Sequence, residues 1–237
     1  MPVSLKKSPL FAMLDTETIY LVNKKAYEVA WCIFDSVTCE IIVSRRFLVK
    51  EAIVSALWYT ATNSKTPIFW PDIMNMALSL KDKDCLPCCK VLQTFCNDLL
   101  VNEVSALIAH NINFDLSALY STERSFCDNP ILLEKIGNLE KLELSGYFVH
   151  GLSKDTAFCV PYKAKSGCTT FKADYLVPYL TGGIQAHDAL GDCMNQLALY
   201  KLTRGKYANK GTIFSNMKAY HANQHNGDLR LGTSELE

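Results

Sequence analysis

The order of strand-like and helix-like segments constrains the fold of this chain more than any other feature. The apolar run Pro9 to Leu14 predicts a buried strand that ends at Asp15. Two segments rich in β-branched and aromatic residues, Tyr27 to Phe34 and Glu40 to Leu48, flank a polar turn at Asp35 to Thr38 and predict a hairpin. We therefore expect an antiparallel meander of three strands at the start of the chain.

Helical and strand patterns alternate in the rest of the chain. Apolar spacing predicts a strand at Ser105 to Ala109 and helices at Leu86 to Val104, Asn113 to Tyr120, Phe171 to Leu180 and Asp188 to Leu202. A meander followed by such alternation predicts an α/β fold, a mixed sheet of antiparallel and parallel strands flanked by helices. We assign residues 1–204 to one domain, in which 51–84 is an unusual insertion with some helix, and residues 205–237 to a polar C-terminal tail.

The overall charge does not indicate a polyanionic partner, because 24 basic residues offset 24 acidic ones. A local basic stretch runs from Pro161 to Lys218, where eight Lys or Arg residues occur with three Asp residues. This stretch is either a solvated surface or a nucleic-acid contact.

The chain shows no sign of a membrane span, because no apolar run approaches the roughly 18 residues that one requires. The apolar stretch within Met1 to Leu14 is too short for a signal peptide. Ten cysteines without an export signal favour reduced thiols, and singly placed ones such as Cys32 and Cys193 suit buried positions. We predict an intracellular, cytoplasmic protein that is neither secreted nor membrane-bound.

One group of cysteines stands apart, formed by Cys85, Cys88 and Cys89, with Cys96 further along. A zinc site needs paired ligands, and neither a second Cys-x-x-Cys nor a suitably spaced histidine pair follows. The sequence therefore favours thiols at a helix start without a metal.

Three short polar motifs carry the chemistry, and the first is Asp15-Thr16-Glu17 at the predicted end of the first strand. Side chains at i and i+2 leave a strand on the same face, so Asp15 and Glu17 project together while Thr16 points away. Adjacent carboxylates repel unless a cation neutralises them, and their hard oxygens suit Mg²⁺ or Mn²⁺. Alone, the triplet is too common to assign a function.

The second motif runs from His110 to Asp115 and follows a predicted strand. Asp115 falls in the first turn of the next helix, and Phe114 is expected to anchor that turn in the core. A purely structural explanation is open, in which Asn111 or Asn113 caps the helix and Asp115 complements its dipole.

The third motif runs from His187 to Asp192 and opens the last strong helix. Positions five apart lie about 140° from each other around a helix, so His187 and Asp192 share a site only if His187 precedes the helix. Asp188 as the N-cap gives that arrangement. A capped helix with a surface histidine is the structural alternative.

Taken in order, the motifs Asp-x-Glu, His-Asn-x-x-Phe-Asp and His-x-Ala-x-x-Asp resemble the three signatures of the DEDDh (DnaQ-like) 3′–5′ exonucleases of the ribonuclease H-like superfamily. The resemblance spans about Phe11 to Leu202, and Lys154 to Ala157 looks like an internal strand of the family. It implies a ribonuclease H-like fold and phosphodiester hydrolysis with two divalent cations, Mg²⁺ or Mn²⁺.

The resemblance also implies a role for each motif residue. Asp15, Glu17 and Asp192 would hold one cation. Asp115 would support the second cation beside Asp15, and His187 would act as the general base. The residues predicted to contact the terminal nucleotide are Thr16, Glu17, His110, Asn111 and Phe114. Those predicted to contact the strand backbone are Lys201, Arg204 and Lys206, with Tyr207 and Lys210 nearby.

The implied activity is release of nucleoside monophosphates from single-stranded nucleic acid with a free 3′ end, with DNA slightly favoured over RNA. Because no polymerase domain is recognisable, a polymerase or other replication protein is expected as a separate partner. An RNA-trimming nuclease or an oligoribonuclease stays open, since contacts to the 2′-hydroxyl are not visible in a sequence.

Two alternatives to a nuclease differ in how well they agree with these motifs. Haloacid-dehalogenase-type phosphatases begin with a strand that ends in Asp-x-Asp-x-Thr, but Glu17 and Thr18 break that spacing. A catalytically silent module of the same fold that binds nucleic acid or protein is also open, although all four acids and the histidine are present.

Overall fold

The arrangement of elements comes from a computed structural model that describes residues 8–19, 24–62, 78, 80–152, 171–184 and 188–203. Its strands are β1 (Leu10–Thr18), β2 (Ala26–Asp35), β3 (Ile41–Val49), β4 (Cys85–Leu86), β5 (Ala106–Ala109) and β6 (Glu140–Glu143). Its helices are α1 (Lys50–Thr62), α2 (Cys88–Val101), α3 (Ile112–Phe126), α4 (Leu144–Leu152), α5 (Ala173–Thr181) and α6 (Ala189–Thr203).

The strands form one mixed sheet in the order β4-β3-β2-β1-β5-β6. β1, β2 and β3 are antiparallel neighbours, as the predicted meander requires. β5 pairs with β1 in parallel, and β6 pairs with β5 in parallel. The predicted mixed sheet flanked by helices is therefore confirmed, and the carboxyl ends of β1 and β5 lie at the same edge of the sheet.

Strand alternation divides the core between the two faces of the sheet. On one face Leu14 and Trp31 pack with residues of α1, α2 and α3. On the other face Met13 and Phe34 pack with residues of α4, α5 and α6. This alternation also sets the direction of the polar residues at the end of β1, because odd-numbered side chains turn towards α6 and Thr16 turns towards α3.

The predicted end of the first strand is corrected by the structure. β1 continues to Thr18 instead of stopping at Asp15, since Asp15, Thr16 and Glu17 keep their pairing with β2. The metal-binding candidates therefore lie on a strand and not in a loop, which makes their shared direction a consequence of the pleat.

The predicted helix Leu86 to Val104 is shorter in the structure. Leu86 pairs with Val49 as part of β4, and Pro87 has an extended backbone at the start of α2. A residue before proline disfavours helical backbone, which explains why Leu86 lies outside the helix.

The sequence analysis also missed β6 and α4. They follow α3 after a short 3₁₀ helix at Leu133–Ile136, and β6 has the polar sequence Glu-Lys-Leu-Glu, which shows no apolar run. As the edge strand of the sheet, β6 needs less apolar surface than a central strand. The helix expected within 51–84 is α1, whereas Lys154 to Ala157 and residues 205–237 lie outside the described residues.

Across the part of the chain that the structure describes, no helix has both the length and the apolar character that crossing a membrane requires.

Candidate active site

Three carboxylates meet at the carboxyl end of β1. Oxygen atoms of Asp15, Glu17 and Asp192 all lie within 4.8 Å of one another, and we call this group the acidic cluster. Asp15 and Glu17 share one face of β1, and Asp192 comes from the first turn of α6, which packs on that face. Residues from opposite ends of the chain, identified by separate motifs, are therefore brought together.

Asp115 reaches the same strand end from the opposite face of the sheet. It lies in the first turn of α3, and its Oδ1 accepts hydrogen bonds from the Thr16 N–H at 3.0 Å and the Thr16 hydroxyl at 2.8 Å. Asp115 is not a member of the acidic cluster, but its charge is one cause of the raised pKa of Asp15. Thr16 points to the opposite face from Asp15 and Glu17, as predicted, and it positions the carboxylate of Asp115.

Burial and mutual repulsion make these carboxyls hard to ionise. Burial is the largest cause that raises the pKa of Asp15, followed by the charges of Asp115, Asp192 and Glu17. The pKa of Glu17 rises to about 7, again through burial first and then the charges of Asp192 and Glu28. A divalent cation would relieve this repulsion, and a set of hard oxygen donors fits Mg²⁺ or Mn²⁺.

Gln196 holds Asp15 in place and was not singled out by the sequence analysis. Its side chain is buried, and its Nε2 donates a hydrogen bond of 2.6 Å to Asp15 Oδ1. Its Oε1 accepts a hydrogen bond of 2.9 Å from the His110 N–H, which can only donate and so fixes the orientation of the amide. The available signal was spacing, because Gln196 lies four residues after Asp192 on the same helix face.

Glu28 joins the start of α6 to the sheet. Its Oε1 accepts hydrogen bonds from Arg46 Nε at 2.6 Å and from the Ala189 N–H at 3.2 Å. Glu28 is buried, so its charge acts on Glu17 with little screening by water. The β2–β3 hairpin thereby fixes the turn of α6 that carries Asp192.

Asp188 caps α6, as the sequence predicted. Its Oδ1 accepts a hydrogen bond of 2.8 Å from the Gly191 N–H. His187, which precedes this cap, lies outside the described residues, and its role as general base stays a prediction.

The predictions for Asn111 and Phe114 have different outcomes. The Asn111 side chain accepts a hydrogen bond from the Phe114 N–H at 3.3 Å and caps α3, as one of the predicted alternatives required. The expectation that Phe114 anchors this turn in the core is wrong, because its ring is half-exposed and the fully buried Ile112 occupies that place. The Lys24 ammonium lies over the Phe114 ring, 4.3 Å from its centre, and forms a cation–π contact with it.

His110 lies beside α5 and α6. Burial lowers its pKa to about 4, so its imidazole is neutral at neutral pH. Of the residues predicted to contact the strand backbone, Lys201 is exposed on α6. The others, Arg204, Lys206, Tyr207 and Lys210, lie outside the described residues.

Comparison with known proteins gives structural relatives only. No protein-family profile matches the chain, and no curated protein does. A structure of E. coli exonuclease I with a dT13 oligonucleotide matches with a TM-score of 0.57 at 15% identity, over 88% of this chain and 43% of that chain. A second structure of exonuclease I, concerned with processivity, gives a TM-score of 0.60 at 15% identity over the same shares.

A complex of exonuclease I with SSB-Ct gives a TM-score of 0.55 at 14% identity, over 88% of this chain and 43% of that chain. The present chain thus spans less than half the length of these structures. Its six-stranded mixed sheet and flanking helices share the fold of exonuclease I, so the predicted ribonuclease H-like fold is confirmed.

Proposed function

We propose that this protein is a metal-dependent 3′–5′ exonuclease that releases nucleoside monophosphates from single-stranded nucleic acid, with DNA slightly favoured over RNA. The observation that carries the proposal is the acidic cluster, whose oxygens lie within 4.8 Å of one another at the end of β1. Exonuclease I, whose fold this chain shares, has been solved with dT13 and dA16 oligonucleotides, which supports single-stranded DNA as the substrate.

The carboxylates divide between two cations in this proposal. Asp15, Glu17 and Asp192 would hold one, and Asp115 would support the second beside Asp15. When bound, a pair of divalent cations lowers the pKa of an attacking water and stabilises charge on the attacking and leaving oxygens. Gln196 keeps one oxygen of Asp15 hydrogen-bonded, which orients the carboxylate that would hold a cation.

His187 would accept the proton of the attacking water. The water oxygen bonds to phosphorus while the bond from phosphorus to the 3′ oxygen of the preceding nucleotide breaks. That oxygen takes up a proton, and the products are a nucleoside 5′-monophosphate and a strand shorter by one nucleotide. His187 directly precedes Asp188, the cap of α6, in the sequence, which supports this role.

The second motif supplies the surface for the terminal nucleotide. Phe114 is half-exposed next to Asp115 in sequence, and the Lys24 ammonium lies 4.3 Å from its ring centre. An aromatic ring beside a positive charge suits a base and its phosphate. Lys201, Arg204 and Lys206 would contact the backbone further along the strand. Thr16, Glu17, His110 and Asn111 stay the other proposed contacts, although the Thr16 N–H and hydroxyl both donate to Asp115.

Degradation of end-labelled oligonucleotides tests the proposal. Single- and double-stranded DNA and RNA, labelled at the 5′ end, are incubated with Mg²⁺ or Mn²⁺ and, in parallel, with a chelator. We expect a ladder that shortens from the 3′ end of single-stranded DNA, its loss on chelation, and its loss in Asp15→Asn. A ladder only with RNA would favour the RNA-trimming or oligoribonuclease alternative. The absence of any metal-dependent cleavage would overturn the proposal and favour a silent binding module.

A further inference from the structure

Three thiols meet at the end of α3 that is remote from the acidic cluster. Cys89 Sγ lies 2.8 Å from Cys127 Sγ, and Cys127 Sγ lies 3.7 Å from Cys88 Sγ. Cys88 and Cys89 begin α2, and Cys127 is the C-terminal cap of α3. At 1.5 Å per residue, α3 separates Cys127 from Asp115 by roughly 18 Å. These thiols are therefore distinct from the proposed nuclease site.

We propose that Cys89 and Cys127 form a modification site, at which small-molecule disulfides oxidise the two thiols to an intramolecular disulfide. A disulfide bond is about 2.05 Å long, so the two sulfur atoms need to approach by less than about 1 Å. Cys89 is exposed and Cys127 is buried, so a reagent in solution reaches Cys89 first. The site combines an accessible thiol that meets the reagent with a protected thiol that completes the bond.

The oxidation proceeds by two thiol–disulfide exchanges. The Cys89 thiolate attacks one sulfur of the reagent, the reagent's sulfur–sulfur bond breaks, and one thiol leaves with the proton that Cys89 gave up to water. The sulfur of Cys127 then loses its proton and attacks Cys89 Sγ in the mixed disulfide, which releases the second thiol. The protein loses two electrons and two protons, and one reagent disulfide becomes two thiols.

Geometry and burial select Cys89 as the partner of Cys127 over Cys88. Cys88 is fully buried, its sulfur is farther from Cys127, and it contacts the Thr122 carbonyl at 3.8 Å. Burial raises the pKa of both the Cys88 and the Cys127 thiol, so the shorter sulfur–sulfur distance and the exposure of Cys89, and not thiol acidity, select Cys89. Metal binding is not the better explanation, since among the described residues the acidic cluster is the group whose three ligand atoms all lie within 4.8 Å.

Peptide mapping with glutathione disulfide tests this site without reference to nuclease activity. The full chain is reduced, freed of reductant, incubated with glutathione disulfide and quenched with an alkylating agent before non-reducing digestion with trypsin. Lys83 and Lys90 enclose Cys85, Cys88 and Cys89 in one tryptic peptide, whereas Cys127 lies in another. We expect the two peptides to be linked in the wild-type chain and separated again after reduction.

Serine variants assign the sulfur within the shared peptide. Cys85→Ser and Cys88→Ser should leave the linked fraction unchanged, whereas Cys89→Ser should lower it at least tenfold. Cys89 is exposed, so its replacement leaves the core intact, and thermal unfolding of the reduced variant verifies that it is folded. The proposal is overturned if the wild-type peptides stay unlinked, if each carries only glutathione, or if the link survives in Cys89→Ser.

Discussion

The two sides of the sheet bring carboxylates to the end of β1 in opposite ways. On the α6 side, oxygen atoms of Asp15, Glu17 and Asp192 lie within 4.8 Å of one another, and burial, followed by the charges of Asp115, Asp192 and Glu17, raises the pKa of Asp15. On the α3 side, one oxygen of Asp115 receives two hydrogen bonds from Thr16. Hydrogen bonds from Thr16 thus offset the burial of the carboxylate on the α3 side, whereas under the proposed function a cation would relieve the repulsion on the α6 side.

Removing one acid from the α6 side should have the largest effect. Asp192→Asn keeps the side-chain shape but removes a charge from the acidic cluster. We expect cleavage to fall by about 10⁴-fold or more, the scale on which a catalytic unit fails when it loses one member. The melting temperature in chelator should rise, because repulsion is reduced.

Single-turnover cleavage and thermal unfolding in chelator measure these two effects. Asp128→Asn, which neutralises an exposed acid after α3, is the matched control and should change neither quantity. Near-normal cleavage by Asp192→Asn would show that the two sides do not differ in the way described, because the α6 side would not be the metal site.

His187→Ala tests the proposed general base. Loss of a general base lowers the rate by about 10²–10⁴-fold. The affinity for Mn²⁺, measured by titration calorimetry, should stay unchanged because the carboxylates are intact. An unchanged cleavage rate would place the base elsewhere, and a lost Mn²⁺ affinity would make His187 a ligand.

Gln196→Met and Thr16→Val compare the residues that orient a carboxylate on each side. Methionine keeps the length of Gln196 but cannot donate to Asp15, and we expect a loss of about 10–100-fold in Mn²⁺ affinity, as for other residues that hold metal ligands. Valine removes only the hydroxyl of Thr16, and its N–H still donates to Asp115. The loss should therefore lie near the lower end of that range.

Each of these variants has a control that alters a similar side chain away from the carboxylates. Asn195→Ala is the control for Gln196→Met. The Asn195 side chain donates a hydrogen bond to the Ile184 carbonyl. Thr94→Val is the control for Thr16→Val, because it removes a hydroxyl that donates a hydrogen bond to the Lys90 carbonyl within α2. Equal effects of a variant and its control would reduce Gln196 or Thr16 to a general structural role.

The smallest effect concerns the stability of the metal-free protein as a function of pH. The pKa of Glu17 rises from its ordinary 4.5 to about 7, and the pKa values of Asp15 and Asp115 rise as well, chiefly through burial. The folded protein therefore holds more protons than the unfolded chain between these values, and the free energy of unfolding falls as pH rises.

Thermal unfolding in chelator at about pH 5 and about pH 8 measures this decline. Saturating Mg²⁺ should remove it, since a bound cation favours the ionised carboxylates. A metal-free protein that is equally stable at both values would contradict the raised pKa values of these three carboxyls.

Sequence reasoning found the four carboxylates because their three motifs lie at a strand end or a helix start and, taken in order, resemble the DEDDh signatures. The meander was predictable from β-branched and aromatic residues, and the Asp188 cap from helix chemistry. Phe114 was misjudged because an aromatic residue near a buried strand is usually core, whereas here the adjacent Ile112 fills that space. The sequence does not show which of two neighbouring apolar residues turns inward.

Gln196 and the pair of Cys89 and Cys127 could not be predicted for a different reason. Their partners are remote along the chain, and polar or sulfur contacts of this kind leave no periodic pattern. Gln196 meets Asp15 because α6 packs on one face of the sheet, and Cys89 meets Cys127 because α2 and α3 pack together on the other face. Such contacts depend on how the elements pack, and local spacing does not encode it.

The pleat of β1 also restricts how this chain can tolerate changes in length. One residue added between Leu14 and Asp15 would leave two acids on the strand but reverse the direction of each. The acids would then face α3, Thr16 would face α6, and the three carboxylates of the acidic cluster could no longer meet. Adding two residues would restore the direction of every side chain. The number of residues between the buried part of β1 and the acids can therefore change only by an even number if the acids are to keep facing α6.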